Sequence, residues 1–243
     1  MQFAAILWQE YIIFKRKFFS VTTGSMIAPV LYLIAFGWGL GSGVKVDGVN
    51  YINFVIPGII AMSSMTMSFS NIANNINISR IYDKTFEEFM IAPVNMLIFT
   101  AAKITAGALR GMYSALIIIL LSLLFNTGLA ISPYFILMII LNCLVFSALG
   151  FTAGIVIDSH ADMGKFTNFI ITPMSFLCGT FFPLDRMPVV LKQFIWLLPL
   201  THTSLGLRSR GEDALNMLIH PVILLVYLVV LLVLGIKVCK KAE

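Results

Sequence analysis

The stretch Ile81-Tyr-Asp-Lys-Thr-Phe-Glu-Glu-Phe-Met-Ile-Ala-Pro-Val94 is one of the few charged, amphipathic segments in a chain that is otherwise almost continuous hydrocarbon. Thr85 is a candidate N-cap, Glu88 completes a capping box with it, and Pro93 ends the segment. The pattern predicts a short helix on a membrane face, which either rests there or serves as a handle for a partner. Its polar side carries Asp83, Lys84, Glu87 and Glu88, and its apolar side carries Phe86, Phe89, Met90 and Ile91.

Composition sets the class of the remaining chain. The mean hydropathy is +0.97, and 59% of the residues are hydrophobic while only 11% are charged. Soluble domains carry about 25% charged residues. We therefore expect an all-α integral membrane protein of one domain. The first residues lack a basic segment before an apolar one, so no secretory signal peptide is predicted.

Apolar runs near the roughly 20 residues that span a bilayer predict six transmembrane helices. Between the second and third spans lies the coupling segment 84–94. The insert 183–214 is too apolar for a free loop and too broken by prolines to span, so it predicts a re-entrant hairpin. The spans are residues 21–40, 52–72, 98–124, 134–157, 166–182 and 219–238.

Residues 1–20 predict an interfacial helix that precedes the first span. Phe3, Leu7, Tyr11, Phe14 and Phe18 recur on one face, and the basic run at 15–17 suits anionic headgroups. With both ends cytoplasmic, eleven of the 16 Lys and Arg residues face inward and five face outward. This excess predicts cytoplasmic termini, a cytoplasmic segment 84–94 and an external hairpin.

The second span mixes hydroxyl, amide and methionine side chains. Packing between helices is one interpretation. The lining of a path for a substrate with polar and apolar parts is the other, because methionine adapts to varied partners. The candidate lining residues are Met62, Met65, Phe69, Thr172 and Phe176.

Two cations lie at the start of the third span. Both are expected to be exposed to headgroups or to a cavity; Lys103 can snorkel, whereas Arg110 lies deeper. A buried cation in a span is a functional candidate, and a structural partnership with Glu87 or Glu88 is the alternative. His202 in the hairpin predicts a hydrogen-bonded structural histidine.

Other chemistry has weaker support. Residues 158–165 predict a solvated turn, since Asp158, His160 and Asp162 alone do not complete a metal site. The three cysteines lack metal or disulfide spacing and predict buried or reduced thiols. No basic patch with exposed aromatics indicates nucleic acid. No catalytic residue is predicted, since the spans carry no HExxH, Gly-x-Ser-x-Gly or paired Asp.

Several stretches together resemble the membrane subunits of type 2 ATP-binding-cassette (ABC) exporters. They cover essentially the whole chain, which is most similar within that family to nodulation-factor and drug-resistance exporter permeases. The stretches are Pro29-Val-Leu-Tyr-Leu-Ile-Ala-Phe-Gly-Trp-Gly-Leu-Gly41, Tyr51 through Pro57-Gly58, Lys84 through Val94, Cys178-Gly-Thr-Phe-Phe-Pro-Leu-Asp-Arg-Met-Pro188, and Leu198-Pro-Leu-Thr-His202 with Arg208.

The resemblance implies a permease of a bacterial or archaeal inner membrane that acts as a pair, with a homodimer expected, together with two copies of a cytoplasmic ATPase. The chain has no GxxxxGK[ST] motif, so ATP and Mg are expected on the ATPase. Coupling to it would use Thr85, Phe86, Glu87, Glu88 and Phe89. The substrate would be an amphipathic drug, lipid or lipid-linked glycan. The rival hypotheses are an intramembrane lipid-modifying enzyme and a stand-alone secondary transporter.

Overall fold

One long helix, α3 (Tyr51–Ile81), organises the computed structural model of this chain. Its 31 residues correspond to about 46 Å of helix, more than the roughly 30 Å of a bilayer core. The structure describes residues 1–36, 45–46, 48–91, 94–124, 129–209 and 214–241. The predicted stop at Pro93, residues 37–40 of the first predicted span and residues 210–213 of the predicted hairpin lie outside them, as do the side chains of Met90, Arg186 and Lys241.

The described chain is almost entirely helical, with one pair of two-residue antiparallel strands, β1 (Lys45–Val46) and β2 (Val49–Asn50). A π-helical turn at Thr167–Ile171 joins α7 to α8, and a 3₁₀ turn at Leu184–Arg186 precedes α9. The other helices are α1 (Gln2–Arg16), α2 (Phe18–Ile34), α4 (Thr85–Ile91), α5 (Met96–Leu124), α6 (Pro133–Val156), α7 (His160–Phe166), α8 (Thr172–Leu177), α9 (Val189–Trp196), α10 (Pro199–Gly206) and α11 (Ala214–Lys241).

Four of these helices are long and apolar enough to cross a membrane: α3, α5, α6 and α11. Helices α1 and α2 meet at a bend of 73° and raise the number to five if the pair is one span. The predicted span 166–182 corresponds to the run α7–π turn–α8, which begins at His160, ends at Leu177 and is not among the candidate spans. Four or five candidate spans are therefore present in the described residues, against the six predicted.

Two segments outside the predicted spans are helical. Residues 74–80, which lie beyond the predicted end of the second span at residue 72, continue α3 to Ile81. The predicted turn 158–165 is mostly α7, which begins after Ser159 because its hydroxyl accepts a hydrogen bond from the Ala161 amide. Asp162 in the first turn and Lys165 in the last suit the helix dipole. The Ser159 cap and these two charges are ordinary signals of a helix, although the polarity of the segment favoured a turn.

The core lies where α3 packs against α5 and α6, with α11 on the far side of α6. Close approach of α5 to α3 requires glycine: a Cβ on Gly111 would lie 1.8 Å from Ser68 Oγ and 2.8 Å from the Ser64 backbone oxygen. Asn142 of α6 donates to the Ala61 oxygen (3.1 Å) and to Ser64 Oγ (2.9 Å). Small and polar side chains thus join three apolar helices.

Helix α1 lies against α5, and its predicted aromatic face is divided. Phe3 is 39% exposed and Tyr11 51% exposed, whereas the Phe14 and Phe18 rings lie 5.3 Å and 5.8 Å from the Tyr113 ring of α5. The aromatic face is thus partly exposed, as an interfacial helix requires, and partly packed on the protein.

The predicted hairpin contains α9 and α10, and α10 packs against α11, α6 and α3. Every residue of α10 is buried except Leu205. The three cysteines, Cys143, Cys178 and Cys239, are buried thiols, as predicted.

Candidate functional site

A cavity of about 970 Å³ opens along the side of α3 that faces α2 and the run from Thr167 to Phe176. Its wall on α3 is a polar stripe with helical spacing, formed by Ser63, Thr66, Ser70, Asn71, Asn74 and Asn75. Side chains three and four residues apart lie on one helix face. Hydroxyls and amides thus form a continuous hydrogen-bonding surface along roughly 18 Å of helix.

The rest of the cavity wall mixes apolar and hydroxyl side chains. Helix α2 contributes Ser25, Pro29 and Tyr32, and the run that ends in α8 contributes Ile171, Thr172, Ser175 and Phe176. The cavity therefore presents both hydrogen-bonding groups and hydrocarbon, which suits an amphipathic molecule.

A buried cluster of charges lies at the α5 wall of the cavity. Lys103 Nζ donates to Glu10 Oε1 (2.5 Å), and Arg110 Nη2 donates to Glu10 Oε2 (2.9 Å) and to the Glu10 backbone oxygen (3.1 Å). Arg110 Nη1 also donates to Asn71 Oδ1. The side chains of Glu10, Lys103 and Arg110 are 2%, 6% and 8% exposed. The cluster connects α1, α3 and α5 at one point.

This cluster bears on two predictions. Lys103 lines the cavity, one of its two expected surroundings, but its side chain is buried and paired with Glu10 and does not snorkel to headgroups. The carboxylate that meets Arg110 belongs to Glu10, not to Glu87 or Glu88. Sequence reasoning missed Glu10, although it is the sole acidic residue among residues 1–46 and so stands out in a basic, apolar segment.

Helix α4 is fixed to α5 by aromatic contacts. The Phe86 and Phe89 rings lie 6.0 Å and 5.2 Å from the Phe99 ring, and the Phe89 ring lies 5.6 Å from Lys103 Nζ. Lys84, which precedes the helix, has a φ of 54°, and α4 begins at Thr85. Thr85 is therefore the first residue of the helix rather than its N-cap.

The predicted coupling residues divide into two groups. Glu87 and Glu88 are exposed, and Ile91 is 86% exposed. Phe86, another of the predicted coupling residues, is only 3% exposed because it packs on Phe99. Its ring thus attaches α4 to the membrane helices, and a partner would meet the acidic edge and Ile91. Thr85 and Phe89 are half-buried.

The predicted lining residues also divide. Met62, Thr172 and Phe176 lie on the cavity. Met65 and Phe69 are completely buried, and the Phe69 ring stacks on Phe166 at 5.8 Å. These two side chains face the helix packing and do not line the cavity. Any part that the five residues play in transport stays a prediction.

A further cation, the half-buried Arg208, lies near the N-terminal end of α3. Its guanidinium donates to the backbone oxygens of Phe54 (2.9 Å), Gly179 (2.6 Å) and Thr180 (2.9 Å), and it lies 4.0 Å from the centre of the Phe54 ring. This site ties the segment after α10 to α3 and to the turn after α8.

His202 is hydrogen-bonded, as predicted. Its Nε2 is 2.9 Å from the Trp196 oxygen, and its Nδ1 is 3.2 Å from Nδ1 of His220. In the weak metal candidate, Asp158 pairs with Arg80 and Asp162 pairs with Lys165. Within the part of the chain that the structure describes, no three His, Cys, Asp or Glu side chains could share a metal ion.

Several apolar helices, a cavity with a polar stripe and a short surface helix joined to the cavity wall define a multi-pass membrane transport protein. The ABC-2 type transporter family matches residues 1–210, and the chain belongs to that family. It is therefore a transmembrane subunit of a transporter rather than an enzyme.

Named relatives agree with this assignment. The chain is 27% identical to the inner membrane transport permease YadH of Escherichia coli (strain K12) over 208 residues, which cover 83% of this chain and 80% of the relative. It is 27% identical to nodulation protein J of Rhizobium leguminosarum bv. viciae over 242 residues, covering 95% and 90%. Nodulation protein J of Rhizobium meliloti (strain 1021) is 28% identical over 202 residues, covering 82% and 77%.

Proposed function

We propose that this chain is the permease subunit of an ATP-driven exporter and that the cavity beside α3 is part of its path for an amphipathic substrate. The observation that carries the proposal is the continuous contact from a surface helix to the cavity wall. Exposed Glu87 and Glu88 belong to the same short helix as Phe86 and Phe89, which contact Phe99 of α5. Force applied to α4 would therefore reach the cavity.

The partner in this proposal is a cytoplasmic ABC ATPase, present in two copies, which binds ATP and Mg. Its groove would receive the acidic edge of α4 and the exposed side chain of Ile91. Closure of the two ATPase copies would move α4, and Phe89 would carry that movement to Lys103 and through Glu10 to α1. The bent pair α1–α2 would then change the width of the cavity.

A second copy of this chain would complete the path as a homodimer. The cavity opens between α2, α3 and the run 160–177, which correspond to the first, second and fifth predicted spans. We propose that these elements face their counterparts in the second copy. The proposed location is a bacterial or archaeal inner membrane, with six crossings and both termini in the cytoplasm. The charge distribution supports this orientation.

Co-purification tests the proposal directly. The tagged chain, extracted gently from native membranes, should bring a stoichiometric protein that hydrolyses ATP. The double charge reversal Glu87→Lys with Glu88→Lys should remove that protein or uncouple hydrolysis from transport in reconstituted vesicles. Both side chains are exposed, so the variant should fold normally.

Asp185→Lys is the matched control, because this carboxylate is 87% exposed in the hairpin on the proposed external side. The control should retain the ATPase. The proposal fails if the wild-type chain purifies alone and no ATPase rejoins it in lipid. Transport by the isolated chain under a proton gradient would instead establish the secondary transporter.

A further inference from the structure

The buried cluster on the cavity wall has unequal charges. Glu10 contributes one carboxylate, whereas Lys103 and Arg110 contribute two cations, and all three side chains are nearly excluded from solvent. Removing a charge from water is expensive unless an opposite charge accompanies it. The cluster therefore keeps one positive charge more than it neutralises internally.

The other charged residues of the cavity wall do not balance this excess. They are Arg16 and Lys17 at the end of α1 and Asp83 before α4. With the cluster included, four basic residues and two acidic ones surround the cavity in the described chain. An anion inside the cavity would thus be attracted, and a cation would be repelled.

We infer that the cavity binds an amphiphile with an anionic headgroup, a phosphate or carboxylate, placed beside Lys103 and Arg110. This inference rests on the proposed function and names the substrate class of the same cavity. A guanidinium and an ammonium are the groups that proteins use for such anions, the first by its planar fork and the second as a point charge.

The apolar tail has a defined direction. Met62 lies nine residues before Asn71 on α3, which corresponds to about 13 Å along the helix axis. Met62 and Phe176 line the cavity there, and Tyr32 and Pro29 face them from α2. A headgroup at Arg110 therefore leaves an acyl chain beside these side chains, while Asn71, Asn74 and Asn75 at the other end of the stripe accompany the polar part.

Binding to the full-length chain in a neutral maltoside detergent tests the inference. Dodecyl phosphate and dodecylphosphocholine carry the same tail, but the first is anionic and the second zwitterionic. We expect dodecyl phosphate to bind about tenfold more tightly, with a preference that falls as salt is added. Inorganic phosphate should bind far more weakly than dodecyl phosphate, because it lacks the tail. The inference would be overturned if the two amphiphiles bound equally tightly, or if inorganic phosphate bound as tightly as dodecyl phosphate.

Charge variants separate an electrostatic role from a structural one. Glu10→Gln raises the net charge of the cluster by one and should strengthen dodecyl phosphate binding. Lys103→Met lowers the net charge by one and should abolish the preference for dodecyl phosphate over dodecylphosphocholine. The double variant restores the original charge and should restore the preference. If both single variants shift the preference in the same direction, the cluster is only structural.

The wild-type comparison of the two amphiphiles decides the inference even if a variant fails to fold. The measurement uses no ATP and no partner, so it is independent of the co-purification test. A chain that recruits an ATPase but binds both amphiphiles equally would retain the proposed function and lose this inference. A chain that prefers the anionic amphiphile but recruits no ATPase would retain this inference and lose the proposed function.

Discussion

The two faces of α3 carry similar polar residues that have different roles. On the face toward α5 and α6, Ser64 and Ser68 are completely buried, and Ser64 Oγ accepts a hydrogen bond from Asn142. On the cavity face, Thr66 is exposed and Ser70 and Asn74 are half-buried. Hydroxyls and amides therefore join helices on one side and line a cavity on the other.

The difference shows that residue type does not separate helix packing from a substrate path. Spacing does so better, because Ser64 and Ser68 are four residues apart on one face, while Ser63, Thr66, Ser70 and Asn74 follow one another at steps of three and four on the other. The neighbours then decide the role: α5 and α6 carry glycines against the first face, whereas α2 stands away from the second.

The largest effect should come from a side chain added between the packed faces. Gly111→Val would place carbon atoms within 1.8 Å of Ser68 Oγ and should destabilise the chain by about 4 kcal/mol, measured by thermal unfolding in detergent. Gly24→Ala, where a Cβ meets nothing within 4 Å, is the control and should cause no loss. Equal stability of the two variants would show that α3 and α5 are not tightly packed.

The next effect concerns the charges that connect the cavity face to α1. Glu10→Ala leaves Lys103 and Arg110 buried without their carboxylate, and we expect a loss of about 3 kcal/mol with faster amide hydrogen exchange in α1. The comparison variant Asp158→Ala removes a carboxylate that is 84% exposed, so its loss should stay below about 1 kcal/mol. Unchanged exchange in α1 would contradict the attachment.

A smaller loss should follow from a polar deletion on the packed side. Asn142→Ala removes the donor to the Ala61 oxygen and to Ser64 Oγ and leaves Thr203 Oγ1 without its acceptor Asn142 Oδ1. We expect a loss of about 2 kcal/mol in the same unfolding measurement. Asn168→Ala, at an exposed position, should remain within about 0.5 kcal/mol of the wild type.

The smallest effect on stability should occur on the cavity face. Asn75→Ala alters a half-buried lining residue. The free energy of unfolding of this variant should lie within about 0.5 kcal/mol of the wild-type value. Transport by the reconstituted complex should nevertheless change, since the polar stripe loses a hydrogen-bonding group. A stability loss like that of Asn142→Ala would show that the two faces do not differ.

Much of this organisation could be predicted from the sequence. The apolar runs of 98–124 and 134–157 correspond to α5 and α6 within two residues, because an unbroken run of that length has few alternatives to a spanning helix. The short helix α4 was also predicted, since charge, aromatic spacing and the turn before it all indicate an amphipathic segment. A helix can be predicted from the sequence when the pattern that indicates it lies entirely within its own segment.

The polar termini of helices were harder to predict. Residues 74–80 lie beyond the predicted second span and residues 160–165 lie in a predicted turn because both segments are polar, yet both are helical. Hydropathy reports which side chains prefer the hydrocarbon core and does not report the backbone conformation. It therefore does not detect the part of a helix that extends beyond that core.

Composition and local apolar runs were enough to predict the class of protein and its main apolar helices, and several stretches taken together carried the resemblance to the family. The contacts between helices, in contrast, establish which face of α3 lines the cavity, that Phe86 packs inward, and that Glu10 pairs with cations 93 and 100 residues away. Such pairings follow from how helices approach one another in space, and periodicity within a single helix does not specify its neighbour.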